Sequence, residues 1–140
     1  MRLHKLSHAK ELLSVADNIG IDITLLAEEM AMEYVRFIFD KYKPWKLEGH
    51  LSIGDSVSKL STEDNEFTFS LSMDKVPAFI FFEQDYINKN NVLMISDASK
   101  ISQLMENSHG MEYFISNKIG SYLIAINWYS IEFTGDVLLN

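Results

Sequence analysis

The chain has 140 residues, with 20 Asp and Glu against 12 Lys and Arg for a net charge of −8, and it contains no cysteine. This length supports one domain, and the lack of Cys removes disulfide scaffolds, thiolate metal sites and cysteine nucleophiles together. A hydrophobic content of 47% excludes disorder, and with Arg2 and Arg36 as the sole arginines the chain is not expected to bind nucleic acid directly.

Residues 1–20 have no apolar core and no small-residue cleavage site, so no secretory signal is expected. The first third is expected to be helical. Leu6, Ala9, Leu13 and Ala16 recur at three- and four-residue spacing, and Gly20 is placed to end that helix. Asp22 or Thr24 is expected to cap a second helix with the stripe Ala27, Met30, Ala31, Tyr34, Val35, Ile38 and Tyr42, widened by Phe37 and Phe39. Pro44 stops it.

From Glu66 the period shortens to two. Phe67, Phe69, Leu71 and Met73 alternate with polar residues as far as Asp74, which predicts a strand with one dry face. Asp74, Lys75 and Pro77 mark a turn. Ala78–Phe82 and Val92–Ile95 are apolar on both faces and are expected as central strands joined by the polar loop Gln84–Asn91. Asp97 caps a short helix with Ala98, Ile101, Leu104 and Met105 inward, closed by Gly110. Strands over Met111–Ser116, Ser121–Trp128 and Ser130–Phe133 follow, the first two joined by Asn117-Lys118-Ile119-Gly120.

The sum is an α+β single domain over 1–140, helical in 1–43 and mainly sheet in 66–134. Two N-terminal helices pack on an antiparallel sheet of about five or six strands, with helices mainly on one face and one short helix inserted. The longest uncharged stretch near the C-terminus, Ile119 to Ile131, is too short for the ~20 apolar residues of a membrane helix, so a soluble, cytoplasmic protein is expected.

Charge is unevenly spread. Residues 1–47 are neutral, and the segment 48–85 carries eight acids (Glu48, Asp55, Glu63, Asp64, Glu66, Asp74, Glu83, Asp85) against Lys59 and Lys75. A negative patch of this kind either solubilises a surface or steers a basic partner into contact. Ser61 to Glu66 is polar and turn-forming, and Glu83, Asp85 and Tyr86 are expected at a neighbouring strand end. Trp45, in an expected loop after Pro44, either plugs the helix–sheet seam or anchors a partner.

Catalytic motifs are sparse: no glycine-rich phosphate loop, nucleophile elbow or zinc-protease helix occurs. His4 and His8 have a metal-ligand spacing but read as surface histidines, short of a ligand set. His109 with Glu112 and Glu132 is the one candidate acid–base group. The plainer expectation puts His109 at a helix end and both glutamates on wet strand faces. Phe79, Phe81, Phe82, Tyr113, Phe114, Tyr122 and Trp128 are expected in the core.

Val76-Pro77…Phe81-Phe82-Glu83, Ile95-Ser96-Asp97…Ile101…Leu104-Met105 and Glu112-Tyr113-Phe114-Ile115…Lys118…Tyr122-Leu123-Ile124…Asn127 together resemble a class of small bacterial proteins that pair a strand, a short helix and a closing hairpin in this order. Some of these are immunity proteins of contact-dependent and other polymorphic toxin systems. The resemblance covers about residues 76–134 and rests on hydrophobic patterning. Where those proteins carry an acid and paired histidines after an aromatic, this chain has Ile126, Trp128 and Tyr129. The resemblance implies a cytoplasmic, non-enzymatic immunity protein without cofactor or metal. Its partner would be a cognate toxin domain. The acidic patch, read as a surface that steers a basic partner, makes that domain a basic nuclease contacted through Glu63, Asp64, Glu66, Glu83, Asp85 and Tyr86, with Trp45 as a further anchor. A small hydrolase or transferase using His109 with Glu112 or Glu132, and a non-catalytic adaptor subunit, are the alternatives.

Overall fold

The structure, a computed structural model, describes residues 7–47, 50–54 and 57–139, the side chains of 45–47 excepted. Leu6, His4, Glu48 and Asp55 therefore lie outside the described residues, as does the Trp45 side chain. In chain order the elements are α1 (His8–Ile19), β1 (Ile23–Leu25), α2 (Glu28–Tyr42), β2 (Trp45–Leu47), β3 (His50–Ser52), β4 (Ser58–Ser61), α3 (Thr62–Asn65), β5 (Ala78–Phe81), β6 (Leu93–Ile95), α4 (Ile101–Glu106), β7 (Tyr113–Ser116), β8 (Tyr122–Ile126) and β9 (Ser130–Gly135). The fold is α+β. One antiparallel sheet has the order β1-β6-β5-β7-β8-β9-β4, and β2 pairs with β3 as a separate hairpin.

The central strands β5, β7 and β8 are buried at every position, because both faces of the sheet are covered. Ile80, Tyr113, Ile115 and Ile124 face Ala9, Leu12 and Ala16 of α1 and Ile101, Leu104 and Met105 of α4. Phe79, Phe81, Phe114 and Leu123 face Ala31, Tyr34, Val35 and Ile38 of α2, together with Leu51 of β3. The two N-terminal helices thus lie on opposite faces, rather than mainly on one. Ser7 caps α1 by accepting from the Lys10 amide, and Gly20 ends it at φ 77°.

Three local expectations are corrected. Neither Asp22 nor Thr24 caps α2: its N-cap is Ala27, without a side-chain bond. Thr24 instead lies in β1, opposite Met94 at the sheet edge. Gly110 does not close α4, which ends at Glu106 with Asn107 as its C-cap; its φ of 87° serves the loop into β7.

The largest correction is Glu66–Asp74, which is not a strand. It forms turns and a 3₁₀ segment over Phe69–Ser72. Phe69 is buried, but Leu71 and Phe67 are exposed while the polar Ser70 is fully buried. The Ser70 hydroxyl accepts from the Ser102 amide at 2.8 Å and donates to the Ser99 carbonyl, and the Ser70 amide donates to Ser102 Oγ. Hydroxyls that bond backbone in this way let a chain leave the ladder. The sheet still reaches seven strands through β1 and β4, each too short to show a period. Trp45 is likewise in a strand, β2, not a loop. Among the described residues no helix is long and apolar enough to cross a membrane.

Candidate functional site

Strand register decides which loops meet. Phe81 lies opposite Phe114, Tyr113 opposite Ile126, Ile126 opposite Ile131, and Ser61 opposite Ser130. The exits of β5, β8 and β4 and the starts of β7 and β9 therefore share one end of the sheet. That end gathers Glu63 and Asp64 on α3, Glu83, Asp85 and Tyr86 after β5, Glu112 before β7, and Trp128 and Tyr129 between β8 and β9. Two acidic stretches about 20 residues apart in the chain are thus brought to one end of the sheet.

Its exposed aromatics stand out. Tyr86 is 100% exposed, Tyr129 73% and Trp128 50%. Trp128 is consequently not core, in contrast to the expectation; the other six aromatics named with it are buried. β8 ends at Ile126 because Asn127 turns the chain. Asn127, only 6% exposed, accepts from the Tyr129 and Ser130 amides through Oδ1 at 2.8 and 2.9 Å and donates through Nδ2 to the Leu51 carbonyl. Buried Thr62 clasps the same turn, its hydroxyl donating to the Asn127 carbonyl and its amide to the Tyr129 carbonyl. Glu112 Oε2 accepts from the Trp128 amide at 3.2 Å. A short turn whose backbone is held by Asn127, Thr62 and Glu112 shows two large aromatics to solvent.

Each candidate contact residue can now be placed. Glu63 and Asp64 are exposed in the first turn of α3, which Ser61 caps. Asp85 is exposed but also structural, for its Oδ1 accepts from the Ile87 and Asn88 amides. Glu83 lines a concavity with Trp128, and Tyr86 is fully exposed. Glu66 is half-buried, and desolvation raises its carboxyl pKa. A carboxylate whose pKa is raised by folding costs stability once pH passes the unfolded value, and the cost is complete above the folded value. Glu66→Gln is therefore expected to raise the melting temperature at pH 7 and to leave it unchanged at pH 3, measured by thermal unfolding at both values.

The acid–base candidates are rearranged. The His109 side chain is exposed, and its amide donates to Glu11 Oε2 at 2.6 Å. Glu112 instead pairs with His50, Nδ1 to Oε2 at 2.6 Å, and also accepts from the Leu51 amide. Glu132 is not on a wet face either: it is 3% exposed and accepts from the Ser52 hydroxyl and the Ile53 amide at 2.9 and 2.8 Å. Both glutamates thus fasten β3 onto the sheet face that α2 also covers. A buried carboxylate is tolerable only with such donors. His50 extends the scaffold, its ring meeting Tyr129 edge-on at 4.9 Å. His8 packs against Phe82, and among the described residues no three His, Asp or Glu side chains are placed to hold a metal ion.

Sequence reasoning missed His50, Asn127, Trp128 and Tyr129. The one local signal was Asn127 itself, a turn-former closing a fully apolar strand. Comparison of the chain with protein-family models, curated proteins and solved structures gives no match.

Proposed function

We propose that the chain is a non-catalytic binding protein of the immunity type, a cytoplasmic inhibitor that docks a basic toxin domain on the acidic and aromatic end of its sheet. The observation that carries this is the pinned turn presenting Trp128 and Tyr129 among carboxylates. Tyr and Trp dominate binding energy at interfaces, and a side chain already held in place loses little freedom on association. Glu63, Asp64, Glu83 and Asp85 supply the field that speeds encounter with a basic surface and disfavours acidic ones. A nuclease fits because its active cleft is built for phosphates, whose charge these carboxylates imitate. The resemblance of residues 76–134 to immunity proteins points the same way.

The test is a search of the adjacent reading frames for a toxin domain and, with the domain found there, its association with this chain followed by stopped-flow at several salt concentrations; the absence of any such domain would count against the immunity role. Glu63→Lys with Asp64→Lys is expected to slow association about tenfold at low salt and to flatten its salt dependence. Glu66 is left unchanged because of its structural cost. Identical association rates at every salt concentration would remove this end of the sheet from the interface.

A further inference from the structure

We propose that the hollow beside Trp128 receives one arginine side chain of the partner and that this arginine anchors the complex. The proposal rests on the docking role of this end of the sheet and adds the chemistry of what enters it. The hollow has a volume of about 190 Å³, and Trp128, Gly110, Met111, Glu83, Asp85 and Glu112 are among the residues that line it. It falls below the roughly 300–1,000 Å³ of pockets that hold whole small molecules, which suits the tip of a side chain.

The aromatic wall selects the shape of the occupant. The Trp128 ring rests on Gly110, whose absent Cβ would stand 3.5 Å from two ring carbons. Its amide is held by Glu112, so the indole has backbone behind it and remains half exposed. A flat guanidinium stacks on an indole and gains cation–π attraction, whereas a compact, strongly hydrated ammonium gains less. The carboxylates select the sign. Asp85 is anchored by the amides of its own turn and Glu112 by His50, Leu51 and Trp128. They therefore contribute chiefly a fixed negative field, which repels anions and leaves a neutral aromatic without polar pairing.

N-acetylarginine amide titrated into the full chain, followed by amide and indole NMR signals, tests this without any partner. Saturable shifts are expected at Gly110, Met111 and the Trp128 indole, with affinity about fivefold above that of N-acetyllysine amide. Trp128→Leu is expected to abolish the response at Gly110 and Met111. Absence of saturation at these signals, equal affinity for the lysine probe, or an unchanged response in Trp128→Leu would overturn the anchor. Should the probe stay silent while Tyr129→Ala still weakens the toxin complex, the arginine anchor falls and the docking surface stands. Should the probe bind as expected while the toxin domain fails to associate, the docking partner is wrong and the guanidinium site stands.

Discussion

Phe81→Ala is expected to lower the unfolding free energy by about 3–5 kcal/mol, the usual cost of emptying an aromatic site in a closed core. Phe81 is fully buried at the last position of β5, an interior strand of the sheet. Its ring stacks on Phe114 at 5.3 Å, meets Tyr34 edge-on at 5.6 Å, and approaches Phe39 at 6.4 Å. This cluster joins α2 to β5 and β7, so a cavity there is bordered by rigid strands on one side and a helix on the other. Neither collapses easily, which puts the cost towards the upper part of the range. Urea denaturation followed by fluorescence and far-UV circular dichroism gives the value. A loss near 1 kcal/mol would show that α2 moves in to fill the space. Phe67→Ala is the control, since Phe67 is 44% exposed and its removal opens no closed cavity.

Asn127→Ala is expected to cost about 2 kcal/mol of stability and, separately, to weaken partner binding about tenfold. The substitution takes an acceptor from the Tyr129 and Ser130 amides and a donor from the Leu51 carbonyl. Buried groups deprived of partners retain the cost of leaving water. The binding loss arises although every surface side chain remains: Trp128 and Tyr129 become mobile and must be ordered on association. The faster step should be dissociation, with association nearly unchanged, because the charges that steer encounter are intact. Surface plasmon resonance on the folded variant separates the two rates. Asn127→Asp keeps the acceptor for the two amides while losing the donor, so it should retain more of the binding than of the stability. Equal affinity of Asn127→Ala and the parent would mean that the turn is ordered by the partner rather than in advance.

Legibility of the fold followed the range of the forces. The apolar runs of β5, β6 and β8, the caps Asp97 and Gly20, and the turn 117–120 were all visible because each depends on residues within a few positions. Phe67 to Met73 misled for the same reason. Its alternation is real, yet Ser70 takes its backbone partners from Ser99 and Ser102, about 30 residues away, and no local pattern reports that. β1 and β4 escaped notice because three or four residues do not establish a period, and the strands they pair with lie about 70 residues further on.

By itself the sequence determined the α+β class, the central strands, and an excess of acid concentrated between Glu48 and Asp85. Only the tertiary structure decided where that acid goes. Register sets the exits of β4 and β5 at one end of the sheet and withdraws half-buried Glu66 from the surface charge. It also converts Glu112 and Glu132 from expected surface acids into clamps on β3, and brings out Trp128 from an expected core position. The physical reason is that burial and hydrogen-bond partnership belong to pairs of residues, and here the deciding pairs, His50 with Glu112, Ser52 with Glu132 and Leu51 with Asn127, lie 62 to 80 positions apart.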